Sequence, residues 1–237
     1  MNPAAASPHS PHRKVVLYGR EELAHLAWYC LGHDSACEVV AFTVAAAEMP
    51  SSAADGEARL HGLPLVPFED LEARFPPETH ALLIAIGPHQ VNGPRAARFA
   101  EGAAKGYRFA SYVSSRAHTW PDLEIGPGCM IFENAVVEPF SRIGANSILR
   151  ANVHVSHDGE VGDHVFLAPR VAMAGKCRVG DRCFLGVNAT LRDGVAIAPG
   201  CVVGAGAVVA RATEPDGLYV GVPARRAGAA GDVKAWP

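Results

Sequence analysis

The strongest constraint on how this chain folds is a six-residue repeat that runs through its second half. In steps of six, the positions from Ile125 to Val209 hold fifteen residues, each of them a branched aliphatic or a methionine. The positions from Cys129 to Ala207 hold fourteen residues in the same steps, each of them Cys, Ala, Ser, Gly or Val. An amphipathic helix would repeat near every 3.6 residues and a half-buried strand every two, so neither element explains the pattern.

One column of large apolar side chains and one of small side chains suit a narrow coil with three faces, in which each face takes six residues and each coil eighteen. Glycine agrees with this count, because it recurs every eighteen residues from Gly126 to Gly180 and again from Gly186 to Gly204. Tight corners favour glycine, either for a positive φ or for close approach of the backbone. The sequence therefore predicts a left-handed parallel β-helix of hexapeptide repeats, with five coils over residues 125–214 that stack roughly 4.7–4.9 Å apart.

Four of the six cysteines fall in the column of small residues: Cys129, Cys177, Cys183 and Cys201. The sequence has no C-x-x-C pair and no spacing typical of a disulfide framework. We therefore expect small buried side chains at these four positions rather than metal ligands or redox groups.

Residues 14–113 have a different pattern, in which short apolar runs alternate with helical stretches. This alternation predicts a small, Rossmann-like parallel α/β sheet. Ligands of such sheets bind beyond the carboxyl ends of the strands, where Gly19 and Gly87 follow two apolar runs. The first loop, however, lacks the G-x-G-x-x-G motif of dinucleotide-binding domains and carries the carboxylates of Glu21 and Glu22, which repel phosphate. Two interpretations stay open: the domain binds a nucleotide, or it only packs against the β-helix.

The predicted organisation has four parts: a disordered tail rich in Pro, Ser and Ala at residues 1–13, the Rossmann-like domain at 14–113, the β-helix domain at 114–214 and a C-terminal segment at 215–237. The net charge is −3 and no Lys/Arg cluster is present, which argues against a nucleic-acid or anionic-membrane partner. No apolar run reaches the length of a membrane span and the N-terminus lacks the apolar core of a signal peptide, so we expect a cytoplasmic protein.

The candidate reactive groups lie on the outside of the β-helix, because the two columns fill its interior. His157 is two places after an inward aliphatic residue, near a corner, and Asp158 follows it. An imidazole beside a carboxylate can act as a general base, because the carboxylate fixes the tautomer and raises the basicity of the ring. Gly175 is one coil later, eighteen residues from His157, and its backbone N–H is a candidate donor to an oxyanion.

These residues also have simpler interpretations. A histidine next to an aspartate is common on protein surfaces, and Asp158 could instead pair with Lys176, which is one coil above it. His154, on a flat face, is either a structural group or a contact to the substrate, and His164 is expected to be a solvated surface residue. No metal site is predicted, because His118 and His154 share their column with Val and Ala and lack a third convergent ligand.

The chain resembles the bacterial hexapeptide-repeat sugar acetyltransferases that join a Rossmann-like domain to a left-handed β-helix. This is the sialic acid O-acetyltransferase-like family, which includes N-acetyltransferases of nucleotide-linked aminosugars. The resemblance covers nearly the whole chain and rests on KVVLYG, IAIG, HDGEVG at 157–162, CFLGVNATLRDG and the closing YVGVPAR at 219–225. It implies an acetyl-CoA-dependent acetyltransferase that acts on an amine or hydroxyl of a nucleotide-linked sugar in surface-glycan biosynthesis. It also implies a homotrimer with acetyl-CoA in the groove between neighbouring β-helices.

The same resemblance implies roles for individual residues. His157 would be the general base and Asp158 its supporting acid, at a position where the family often has Glu. Gly175 would donate its backbone N–H to the thioester carbonyl. Further contacts are implied to the cofactor by Val187, Ala205 and Pro223 and to the sugar nucleotide by Gly19 and Gly87.

Two departures from the family pattern bear on the acceptor. Thr43-Val44-Ala45 stands where family members that bind UDP-sugars have acidic residues, and Phe166 stands where a cofactor-contacting histidine is common. The acceptor therefore need not be a UDP-sugar, and another sugar nucleotide and a free small molecule both stay open. A different class of function stays open too: a non-catalytic trimeric scaffold whose N-terminal domain senses a ligand.

Overall fold

A computed structural model of the chain describes residues 12–50 and 58–233. Most of the tail predicted at residues 1–13 lies outside these described residues. Contacts divide the chain into two units, and the first holds the described residues up to Gly87 together with Ala97–Ser115. The second unit holds Pro88–Ala96 and the chain from Arg116 onward. None of the described helices has the length and apolar character that a membrane crossing needs.

The first unit is the predicted parallel α/β sheet. Its strands lie in the order β3-β4-β2-β1-β5-β6, and β1 pairs in parallel with both β2 and β5. Val16, Ala41 and Leu82 are fully buried in its core. The strands and helices of this part of the chain are β1 Lys14–Tyr18, α1 Glu22–Asp34, β2 Glu38–Val44, β3 Arg59–Leu60, β4 Leu63–Pro67, α2 Leu71–Arg74, β5 Ala81–Ile84, α3 Gly93–Ala104, β6 Arg108–Phe109 and β7 Tyr112–Val113, with 3₁₀ turns at Ala46–Glu48 and Phe68–Asp70.

The second unit is the predicted parallel β-helix. From Glu124 to Val209 each strand spans two residues rather than a whole face, and the other four residues of each hexapeptide form a turn. Strands eighteen residues apart pair in parallel, as His154 with Ala172 and Val155 with Met173. The strands are β8 Glu124–Ile125, β9 Met130–Ile131, β10 Val136–Val137, β11 Arg142–Ile143, β12 Ile148–Leu149, β13 His154–Val155, β14 Glu160–Val161, β15 Phe166–Leu167, β16 Ala172–Met173, β17 Arg178–Val179, β18 Phe184–Leu185, β19 Thr190–Leu191, β20 Ala196–Ile197, β21 Val202–Val203, β22 Val208–Val209, β23 Gly217–Val220 and β24 Arg225–Ala229, with a 3₁₀ turn at Ala230–Asp232.

These strands form the three faces of a prism, each with a different outward surface. The His154 face, β10-β13-β16-β19-β22, directs outward the side chains of Val136, His154, Ala172, Thr190 and Val208. The charged face, β20-β17-β14-β11-β8, directs outward those of Ala196, Arg178, Glu160, Arg142 and Glu124. The third face contains β9, β12, β15, β18, β21 and β23, with β24 antiparallel to β23.

Both predicted columns fill the interior. The small column is buried throughout, and its cysteines are free thiols that donate to backbone carbonyls, as Cys129 Sγ does to Gly144 O at 3.0 Å. The glycines that recur every eighteen residues serve close packing rather than a positive φ. A Cβ on Gly144 would lie 2.6 Å from the carbonyl oxygen of Gly162.

A left-handed residue occupies every sixth position, from Asn134 to Gly206, and turns the chain from one face to the next. Asn, Asp and Gly tolerate this conformation and account for many of these positions. Larger side chains adopt it at Phe140, His164, Arg170, Lys176 and Arg182, and Phe140, with φ 66°, is the apolar one among them.

Residues 88–96 belong by contact to the β-helix unit because two of their polar side chains are buried in it. Arg95 is fully buried and donates to the carbonyl oxygens of Asn146 and His164, the second at 2.7 Å. Asn92 donates to the carbonyl of Cys183 at 3.0 Å. Burial lowers the pKa of the Arg95 guanidinium to about 9. The guanidinium therefore satisfies carbonyls that the turns of the coil leave unpaired.

Candidate active site

The residues predicted to be catalytic meet at one corner of the prism, between the His154 face and the charged face. His157 and Asp158 form the turn that connects β13 to β14, and both side chains are about half exposed. His157 Nδ1 is 2.8 Å from Asp158 Oδ2. A carboxylate at this position accepts a hydrogen bond from Nδ1–H, so the lone pair of the neutral ring is on Nε2. In this orientation Nε2 is the ring nitrogen that can accept a proton.

Gly175 lies directly against this ring. A Cβ added to Gly175 would be 2.6 Å from His157 Nε2 and 2.8 Å from Cε1, so the basic nitrogen occupies the space that a side chain would need. The Gly175 N–H makes no hydrogen bond with any part of the chain that the structure describes. A free backbone donor beside a basic nitrogen is the arrangement expected for stabilising an oxyanion.

The alternative pairing of Asp158 with Lys176 is not formed. Lys176 donates its backbone N–H to His157 O at 2.9 Å, and within residues 12–50 and 58–233 its side chain has no ion-pair partner. The Asp158 carboxylate therefore pairs with the His157 imidazole and not with Lys176.

Glu138, which the sequence did not single out, is the main support of the corner. Its Oε2 accepts the backbone N–H of His157 at 2.8 Å, and its Oε1 is 3.0 Å from His154 Nε2. The hydrogen bond from the His157 N–H is the main reason that the pKa of the Glu138 carboxyl is below its usual value. The contact with His154 lowers this pKa further. One carboxylate thus fixes the backbone at His157. The only sequence signal would have been its place in the coil preceding that residue.

Two other histidines take structural positions. His154 Nε2 lies 3.0 Å from Ser156 Oγ as well as from Glu138, which favours its structural interpretation over a substrate contact. The expectation that His164 is a solvated surface residue is wrong. Its Nδ1 is 3.0 Å from Asn146 Nδ2, and burial followed by the charge of Arg95 lowers its pKa. No cluster of three potential metal ligands occurs in the described ranges.

The implied cofactor contacts do not come together in one chain. Val187 and Ala205, which are eighteen residues apart, stack at a second corner, between the third face and the His154 face. Pro223 follows β23, which pairs with β21 at an offset of sixteen residues, so Pro223 does not continue this stack. All three are exposed, Val187 by 43%. The whole His154 face separates Val187 and Ala205 from Gly175. We call the two corners the His157 corner and the Val187 corner.

Gly19 and Gly87 lie at the carboxyl ends of paired strands, as expected. Gly19 follows β1, and Gly87 follows β5 by three residues. The Gly19 N–H already donates to Thr43 O at 2.9 Å, and a Cβ there would be 2.6 Å from Ala85 O. This glycine therefore serves close packing and has no free N–H for a phosphate.

A family model matches the repeat of this chain, and solved structures match its fold. Residues 177–211 match the family described as hexapeptide repeat of succinyl-transferase. The perosamine N-acetyltransferase of Caulobacter crescentus, solved as a mutant in complex with CoA and GDP-perosamine, superposes with a TM-score of 0.78 at 27% identity over 93% of this chain and 99% of its own. In its repeat and its fold the chain resembles the hexapeptide-repeat sugar acetyltransferases, and it is an acyl-CoA-dependent acyltransferase. Its β-helix is left-handed, as the repeat predicts.

Two further structures resemble this chain in fold. The acetyltransferase domain of PglB from Neisseria gonorrhoeae FA1090, solved with acetyl coenzyme A, has a TM-score of 0.78 at 22% identity and covers 91% of this chain and 99% of its own. WeeI from Acinetobacter baumannii AYE has a TM-score of 0.75 at 21% identity and covers 90% and 98%. No protein of curated function matches the sequence. The expected acyl-CoA chemistry agrees with the neighbours that contain CoA or acetyl-CoA.

Proposed function

We propose that this acetyltransferase moves the acetyl group of acetyl-CoA to the amine of a nucleotide-linked aminosugar. The single observation that carries the proposal is the corner where Asp158 holds His157 and Gly175 faces its Nε2. The choice of a sugar nucleotide follows the Caulobacter neighbour, whose structure contains GDP-perosamine. The choice of an amine over a hydroxyl follows the same neighbour, which is an N-acetyltransferase. The role in surface-glycan biosynthesis and the cytoplasmic location stay predictions.

The proposed reaction needs no covalent enzyme intermediate. His157 Nε2 accepts a proton from the acceptor as its nitrogen attacks the thioester carbonyl carbon. The Gly175 N–H donates a hydrogen bond to the oxyanion that forms on the carbonyl oxygen. The carbon–sulfur bond then breaks, the proton held by His157 neutralises the CoA thiolate, and the acetylated acceptor leaves.

Acetyl-CoA binding and thiol release test this function together. At a concentration of about one hundred times its Kd, acetyl-CoA should stabilise the folded protein by ~2.7 kcal/mol and raise Tm by several degrees. With a panel of GDP- and UDP-linked aminosugars, free thiol should form with at least one of them. The matched control is the same sugar nucleotide with a hydroxyl in place of the amine, which should give far less thiol. Absence of both a Tm shift and thiol would return the protein to the scaffold interpretation.

We also propose that the cofactor site is completed by a second copy of the chain. The His154 face carries only uncharged or histidine side chains, all of intermediate burial, whereas the face beside it carries alternating Glu and Arg. A homotrimer with the His154 faces turned toward the three-fold axis would bury this uncharged surface. Each His157 corner would then lie beside the Val187 corner of a neighbour. This arrangement unites the two halves of the implied cofactor groove.

The trimer is expected as the species seen by analytical ultracentrifugation at micromolar concentration. Ala172→Glu should disrupt it, because three buried carboxylates would meet near the axis. Ala196→Glu is the matched control on the charged face and should leave the trimer intact. A wild-type monomer that still transfers acetyl groups would exclude the shared groove.

A further inference from the structure

A cleft of about 580 Å³ opens beside the His157 corner, toward the N-terminal end of the coil. Asp158 and Lys176 lie at its edge, and the exposed aromatic rings of Trp120 and Phe140 are in its lining. Phe140 is eighteen residues before Asp158, and the N–H of Asp158 donates to the carbonyl of Pro139 at 3.2 Å. The aromatic corner residue therefore lies one coil below the carboxylate that orients His157.

Phe140 is costly to fold at this position. Its φ of 66° is left-handed, a conformation that a bulky side chain rarely adopts, and its side chain is 79% exposed. The equivalent positions in later coils hold Asp158, Lys176 and Gly194, none of which is apolar. Strain and apolar exposure at one residue point to a functional constraint rather than to stability. Trp120 is 56% exposed in the same cleft.

The charge of the cleft restricts what can bind there. Five carboxylates line it against three cationic side chains, and two of those cations, Arg142 and Arg178, already contact Glu160. The phosphates of CoA or of a nucleotide would be repelled. An uncharged sugar ring that carries an amine fits better, because the amine can donate hydrogen bonds to carboxylates and the ring can pack on aromatic faces.

The position of the cleft along the coil indicates which of the two substrates, acetyl-CoA or the acceptor, would bind there. The residues assigned to the cofactor, Gly175, Val187 and Ala205, are all in coils after His157. An acceptor that attacks the thioester carbonyl must approach from outside the volume that the cofactor fills. The coils before His157, which carry Phe140 and Trp120, offer that side.

We propose that Phe140 and Trp120 form a platform that binds the sugar ring of the acceptor and presents its amine to His157. This inference rests on the proposed function and adds to it the place of the acceptor ring. Aromatic side chains in ligand sites contribute large apolar contact area at little conformational cost. The platform binds the aminosugar and leaves the nucleotide to other groups.

Phe140→Asn is the variant that tests the platform, because asparagine suits the left-handed turn and removes only the ring. Tm should equal or exceed that of the wild type. KM for the aminosugar nucleotide should rise about tenfold or more, as for loss of a stacking contact, and KM for acetyl-CoA should not change. Trp120→Ala should likewise raise KM for the aminosugar nucleotide and leave KM for acetyl-CoA unchanged. Arg182→Asn is the matched control, a left-handed exposed position at a different corner, and should leave both KM values unchanged.

The outcomes separate this inference from the proposed function. An unchanged acceptor KM in both aromatic variants of an active enzyme would overturn the platform and leave the acetyltransferase function standing. A Phe140→Asn protein that sediments as a monomer would overturn it too, since the ring would then be a contact between subunits. A wild type that releases no thiol with any aminosugar nucleotide would remove the proposed function and the platform together.

Discussion

His157→Ala should lower kcat by at least about 10²-fold, because loss of a positioned general base typically costs 10²- to 10⁴-fold in rate. The imidazole side chain is half exposed, so its removal should change Tm little. Steady-state thiol release with saturating acetyl-CoA and acceptor measures the effect. The Tm increase caused by acetyl-CoA should persist in the variant, which separates lost chemistry from lost binding.

Two companion variants sharpen this experiment. Asp158→Asn keeps a residue that suits the turn but removes the charge that holds Nδ1–H, so it should lower kcat less than His157→Ala. His33→Ala is the control, since this exposed histidine bonds within its own helix to Tyr29 O. Activity of His157→Ala within tenfold of the wild type would show that the His–Asp pair is an ordinary surface pair.

The repeat predicted most of the fold because a β-helix is nearly one-dimensional. Once the period is known, residues eighteen apart must be neighbours, and this count alone placed Gly175 beside His157. The same count could have shown that Val187 and Gly175, both implied to contact the cofactor, lie at different corners of the prism. Val187 is twelve residues from Gly175, which is two faces rather than a whole coil. Grouping them by family resemblance concealed that they lie at two corners, which is the reason we propose that a second copy completes the groove.

The features that the sequence did not predict depend on side-chain conformation. Glu138 reaches across to the backbone of His157, nineteen residues away, and the period gives no preference for that contact. His164 has the same place in its turn as the exposed residues Asp158 and Arg182, yet Asn146 and Arg95 lie against it. Arg95 itself is in a helix with other charged residues, and only the unpaired carbonyls of the turns explain its burial.

Gly175→Ala is expected to lower kcat by roughly 10²-fold while the fold is retained. Gly175 does not have a left-handed φ, so alanine suits its backbone. The new methyl group would lie 2.6 Å from His157 Nε2, and the imidazole is the neighbour that can move. A displacement of about 1 Å in a catalytic group can cost 10²-fold in rate. Tm within a few degrees of wild type and an unchanged acetyl-CoA response should accompany the loss.

The double variant His157→Ala/Gly175→Ala identifies the cause. If the methyl group acts by displacing the imidazole, it has nothing to displace once the ring is gone, and the double variant should be no slower than His157→Ala alone. If the two losses multiply instead, the methyl group disturbs the thioester or the oxyanion directly. A Gly175→Ala enzyme with wild-type kcat would contradict the close contact between residue 175 and His157. It would show that the added methyl group does not displace the imidazole. The cycle therefore tests whether the glycine is selected at this corner to leave room for the base.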